Sequence, residues 1–122
     1  MSSARTFLSH VIGQSGYVEA DRLSGELRIS KSELANATGL DRDAVSKNAR
    51  LKGRSTQARL RDLVEIINRV LPWAGSVQQA FAWYRAQPIP SFGDQTAEDL
   101  VKEGRAEAVK KYLSRIAAGG YA

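Results

Sequence analysis

The sequence has no cysteine and only one histidine, His10, among its 122 residues. Without thiols there is neither a disulfide nor a thiolate metal site, and a lone imidazole cannot supply the ligand set that zinc or iron needs. The expectation is no metal and no cofactor. No stretch approaches the roughly 18 consecutive apolar residues of a membrane span, and the N-terminus lacks the apolar run of a signal peptide, so the chain reads as cytoplasmic. There is no internal repeat of 20–50 residues, no low-complexity tract and no glycine-rich phosphate loop. These absences leave little for an enzyme to work with. A hydrolytic triad would have to use His10, which falls on an amphipathic segment near the start. Glu98 and Asp99 are neighbours on a helix and point in different directions, which suits capping better than acid–base work.

What is present is an ordinary apolar fraction, 43%, enough for one core of normal size, and an uneven distribution of charge. The net charge is +5. Residues 1–61 carry 11 Lys/Arg against 6 Asp/Glu, and residues 62–122 carry 7 of each, so the whole excess lies in the first half. It is steepest between Arg42 and Arg61, where Arg42, Lys47, Arg50, Lys52, Arg54, Arg59 and Arg61 face only Asp43. Such a patch suits phosphate, and equally a solvated helix face.

Apolar periodicity predicts an all-α chain. Phe7, Leu8, Val11 and Ile12 place a short helix over 5–13. Tyr17 to Arg28 has no clean period and reads as loop with a short extended piece. Ser30 and Glu33 have capping-box spacing for a helix from Lys31 to about Thr38, Gly39 suits its left-handed end, and Asp41 suits the cap of a second helix from Arg42 to about Leu51. Leu60, Leu63, Val64, Ile67, Val70 and Leu71 trace one face of a long helix from Thr56 that Pro72 should stop. Ser76 with Gln79 opens a helix carrying Phe81, Trp83 and Tyr84, which breaks at Pro88-Ile89-Pro90. Thr96 with Asp99 caps a short helix ending at Gly104, and Val109, Tyr112, Leu113 and Ile116 mark a final helix up to Gly119-Gly120. Trp73 reads as a packing residue at a helix end. The Phe81, Trp83 and Tyr84 trio suits a core as well as an interface.

The two short helices around Gly39 have the pattern of a helix-turn-helix. Leu34 and Ala35 offer a bulky and a small contact on the first helix, Gly39 makes the turn, and Leu40 and Val45 fill the angle. Arg42, Asp43, Ser46, Lys47 and Arg50 are left on the outer face of the second helix. Arg42 and Lys47 are then candidates for reading base edges, Ser46 for base or phosphate, and Arg50, Lys52 and Arg54 for clamping the backbone. A plain helical hairpin has the same pattern.

The C-terminal half adds a resemblance. Trp83, Gln87-Pro88-Ile89-Pro90, Phe92-Gly93, Glu98-Asp99-Leu100-Val101, Val109, Leu113-Ser114-Arg115-Ile116 and Gly119-Gly120-Tyr121-Ala122 together resemble the toxin-binding domain of the Xre/MbcA/ParS antitoxin family over roughly residues 56–122. One departure stands out: the family pattern has a proline opening the short helix where this chain has Thr96-Ala97. The resemblance implies a helix-turn-helix DNA-binding region over 1–55 and a toxin-binding domain over 56–122. It also implies a RES-domain, NAD-consuming toxin as partner, inhibited through Trp83, Gln87 to Pro90 and the tail Gly119 to Ala122, and repression of the chain's own operon through double-stranded operator DNA. A homodimer is expected, because one small helix-turn-helix contacts too few bases. The competing reading is a free-standing transcriptional regulator whose C-terminal domain only dimerises; contact of the basic segment with anionic lipid is a third.

Overall fold

The computed structural model describes residues 3–119, with side chains from Thr6 onward. Among these residues it holds nine α-helices, one 3-10 turn and two isolated β-bridges. The order is α1 (Ser3–Val11), α2 (Ala20–Leu27), α3 (Lys31–Thr38), α4 (Arg42–Ser46), α5 (Asn48–Leu51), α6 (Arg54–Ala74), α7 (Val77–Ala86), the 3-10 turn Pro90–Phe92, α8 (Ala97–Lys102) and α9 (Ala106–Ala117). The all-α expectation holds. The long helix α6 is the axis, with α1, α7 and α9 packed along it. Its buried stripe, Leu60, Leu63, Val64, Ile67, Val70 and Leu71, is the one the periodicity marks, joined by Ile66. One apolar cluster runs from Phe7 and Val11 through Leu34 and Leu63 to Leu113, so both halves share a core.

Several local devices appear as their residue types require. Ser30 accepts from the Glu33 amide while the Glu33 carboxylate accepts from the Ser30 amide, completing a capping box. Thr96 and Asp99 do the same for α8. Ala97, fully buried, stands at the first helical position where the family pattern has proline; the cap and the apolar contact fix this helix start without a preset φ. Ser76 accepts from the Gln79 amide to start α7.

Three expectations are corrected. Residues 20–27, expected as loop, form α2, burying Ala20, Leu23, Ser24 and Leu27 at i, i+3, i+4 and i+7; Gly25 lies on the exposed face with open space about it, so it does not interrupt the buried stripe. The helix expected over Arg42 to Leu51 is two pieces, because Lys47 takes extended angles (φ −101°, ψ 125°) between α4 and α5. Asp41 sits at the cap position of α4 but makes no side-chain cap bond. Finally, Pro72 does not stop α6, which continues to Ala74 and ends at Gly75 in the left-handed region (φ 92°). In the last turn the missing proline N–H removes one helical bond without breaking the helix.

Candidate functional site

The first candidate surface is built on α3 and α4. Gly39 links them at φ 71°, and it is closely packed: a Cβ there would lie 3.1 Å from Arg59 Nη1 and 3.3 Å from Lys102 Cγ, so both side chains would have to give way slightly. The Leu40 amide donates to the Ala35 carbonyl at 2.9 Å, and Ala44 and Val45 are buried against α3. This matches the crossing that the sequence pattern requires. Arg42, Asp43, Ser46, Lys47 and Arg50 are all exposed. The Ser46 hydroxyl donates back to the Arg42 carbonyl at 2.8 Å, leaving its oxygen to accept. Lys47 pairs with Asp43 at 3.6 Å and Arg50 with Asp41 at 3.5 Å. Both are exposed surface pairs, of the kind that exchange partners at little cost.

Not all of the basic stretch points outward. Arg59 donates to the Thr38 carbonyl at 2.8 Å, tying the end of α3 to α6. Arg61 donates to the Gly16 carbonyl. Lys52 lies over the Tyr17 ring, 5.7 Å from its centroid. Arg54 opens α6, whose first turn has no acidic residue and no side-chain cap. The Tyr17 turn has no signature in sequence, since nothing in residues 13–19 shows a helical or alternating period.

The second candidate surface surrounds the corner between α7 and α8. Ile89 donates its amide to the Gln95 carbonyl at 2.9 Å, and Gly93 and Asp94 take positive φ (64° and 66°) to close a tight loop. Gln87, Pro88 and Pro90 are exposed around this corner, whereas Ile89 is buried and Trp83 is half-buried against the core. The Phe92 ring meets Tyr112 edge-on at 6.0 Å, and Arg105 covers it at 5.7 Å. Beneath the corner, Glu98 is held by Arg85 at 3.1 Å and Lys102 at 3.2 Å, which explains the adjacent acids: Glu98 pairs inward while Asp99 caps. Trp73, expected to pack, is instead 50% exposed, since the last turn of α6 runs past the core. Gly119 follows α9, exposed and at φ 92°. Gly120, Tyr121 and Ala122 lie outside the described residues.

The two surfaces are tied together by polar groups. Buried Tyr84 on α7 donates to the Ala37 carbonyl on α3 at 2.7 Å, and its burial, followed by the nearby Glu98 charge, raises the phenol far above its ordinary pKa. Lys110 on α9 pairs with Asp62 (2.9 Å), Glu65 (3.1 Å) and Glu107 (3.2 Å). Burial opposes its charge, but the three carboxylates outweigh it and hold the ammonium above the ordinary lysine range.

Residues 69–119, from the middle of α6 to the end of α9, match the family of the antitoxin Xre/MbcA/ParS C-terminal toxin-binding domain. The match covers under half of the chain and makes its C-terminal part similar to an antitoxin toxin-binding domain. A chain of the M. tuberculosis MbcT-MbcA toxin–antitoxin complex is similar in fold to this chain, with a TM-score of 0.60, 17% identity, and coverage of 85% of this chain and 95% of that one. No curated protein matches the sequence significantly. The family match takes in Trp73, the Gln87–Pro90 corner, α8 and α9, and it begins beyond the α3–α4 hairpin. Among the described residues no helix is long and apolar enough to cross a membrane.

Proposed function

We propose that this chain is an antitoxin that binds and inhibits a RES-type, NAD-degrading toxin through its C-terminal region and represses its own operon by binding operator DNA through α3 and α4, as a homodimer in the cytoplasm. The observation that carries the toxin half is the match of residues 69–119 to a toxin-binding domain. The DNA half is supported by a tight α3–α4 crossing about Gly39, with Arg42, Ser46 and Lys47 on its open side and Lys52 and Arg54 flanking it. In this reading Arg42 and Lys47 contact base edges and Arg50, Lys52 and Arg54 contact phosphates. NAD is the toxin's substrate and no cofactor of this chain. Gln87, Pro88 and Pro90 are the exposed part of the toxin-facing corner; Trp83 and Ile89 hold it from beneath, and residues 119–122 enter the toxin's active site.

Co-expression with the neighbouring reading frame tests the proposal. The expected outcome is that the neighbour arrests growth alone, that this chain restores growth, and that the two proteins co-elute. A chain that binds promoter DNA but neither rescues growth nor co-elutes is a free-standing regulator.

A further inference from the structure

Beside the α3–α4 hairpin lies a cleft of about 590 Å3 lined by Ser15, Gly16, Tyr17, Lys52, Arg54, Gln57, Ala58 and Arg61. Three of these residues are cations and none is acidic. We propose that this cleft is a phosphate-binding site that seats the backbone of duplex DNA; the inference rests on the DNA reading above and extends the contact surface to a segment, residues 15–17, outside the helix-turn-helix.

Its walls are fixed by one buried side chain. The Gln57 amide accepts from the Val18 amide at 2.8 Å and donates to the Val18 carbonyl at 3.1 Å and the Leu51 carbonyl at 2.9 Å. It thereby pins both the 17–18 turn and the end of α5 to α6. Arg61 secures the Gly16 carbonyl from the other side. The Tyr17 ring, 37% exposed, lies under the Lys52 ammonium, which restricts a flexible side chain near the rim before any ligand arrives. Arg54 makes no ion pair among the described residues. The cleft adjoins a groove of about 300 Å3 that shares Ser15, Tyr17 and Lys52 and reaches Ser46 and Asn48; Glu19 and Asp21 also line it, Asp21 paired with Lys31 at 2.6 Å, so the phosphate path is confined to the Lys52 and Ser46 side. A strand whose bases face α4 has its backbone led along this groove to Arg54 and Arg61. The open, continuous path favours a polymer of phosphates over a single free nucleotide.

The test is fluorescence anisotropy across a salt series, with a mixed-sequence duplex, with the DNA upstream of the chain's own reading frame, and with ATP as the free-phosphate probe. Each phosphate contact contributes about −0.9 to the slope of log K against log salt. Arg54→Ala and Arg61→Ala are each expected to flatten that slope by about one on both duplexes, and the double variant by about two. Lys111→Ala, the same change of charge on the exposed face of α9, is expected to keep the wild-type slope. Tyr17→Leu, which leaves the charge unaltered, is expected to weaken both duplexes by the same factor. Circular dichroism melting controls for the folding of both variants. Equal flattening by Lys111→Ala makes the effect one of net charge and overturns the cleft. Unchanged slopes for Arg54→Ala and Arg61→Ala, with Arg42→Ala still losing sequence discrimination, overturn the cleft and leave the DNA reading standing. A wild-type chain that binds neither duplex overturns both, and one that binds ATP alone assigns the cleft to free nucleotide instead.

Discussion

Tyr84 shows how much one side chain holds at the residue scale. Its ring stacks on Phe81 at 5.9 Å and its hydroxyl reaches Ala37 across 47 positions of sequence. Tyr84→Phe keeps the ring and strands a buried carbonyl, a loss of about 1–3 kcal/mol that thermal melting followed by circular dichroism will show as a lower midpoint with an unchanged helical signal. Lys110 obeys a different rule. Replacing it with methionine leaves Asp62, Glu65 and Glu107 facing one another; these acids are 26–79% exposed on their side chains, so the expected loss is about 1–3 kcal/mol, below the figure for a fully buried pair. Because its folded pKa is raised, its contribution is fully present below the ordinary lysine value and declines only as pH climbs toward the folded one. The Lys110→Met deficit is therefore expected to be equal at pH 7 and pH 9; a deficit that halves at pH 9 contradicts this. Neither role was legible from sequence, because Tyr84 and Lys110 take their partners from distant elements. For Lys47 the sequence located the residue and not its conformation: if it reads a base edge, Lys47→Ala weakens operator binding by about 1–3 kcal/mol and leaves mixed-sequence binding nearly unchanged, a comparison that titration of both duplexes makes directly.

At the scale of elements, legibility followed how much of each helix is decided by its own residues. The cap of α3 and the stripe of α6 depend on spacings of three and four and were readable as such. The boundary of α6 was not, since Pro72 is tolerated where few helical bonds remain to be lost. The segment of α2 was missed because Gly25 suggested a break, although Leu23 and Leu27 supply the buried stripe that decides the matter. The break at Lys47 has no proline or glycine to announce it. Gly39 was readable as a turn, but the reason it must be glycine is tertiary. A methyl group there meets Arg59 and the stem of Lys102 as well as an unfavourable φ, so Gly39→Ala is expected to cost about 1–2 kcal/mol. Chemical denaturation measures it, and no change would mean that neither the left-handed φ nor the two neighbouring side chains penalise a methyl group.

For the whole molecule, the proposed functional division near residue 55 would coexist with one core. Phe7 and Val11 of α1 bury against α6, and Tyr84 closes on α3. A fragment of residues 56–122 therefore exposes the α6 stripe, and we expect it to lack a cooperative thermal transition, which calorimetry will detect. Surface chemistry is more easily separated. Arg50→Glu lies outside the core and is expected to abolish promoter binding in a gel-shift assay while growth rescue persists; loss of both in a folded variant would join the two activities physically.

The Tyr84 bond to Ala37 also sets a schedule for synthesis. Ribosomes add about 5–20 residues per second, so the 47 residues separating the partners take roughly 2–9 s to follow, and during that interval the α3–α4 hairpin is on the nascent chain without its closing contact. The hairpin reaches its final packing only once α7 has been made. A chain released early, or clipped before α7, carries the basic face without the contact that sets it, and is poorly placed to occupy a promoter in place of the full-length protein.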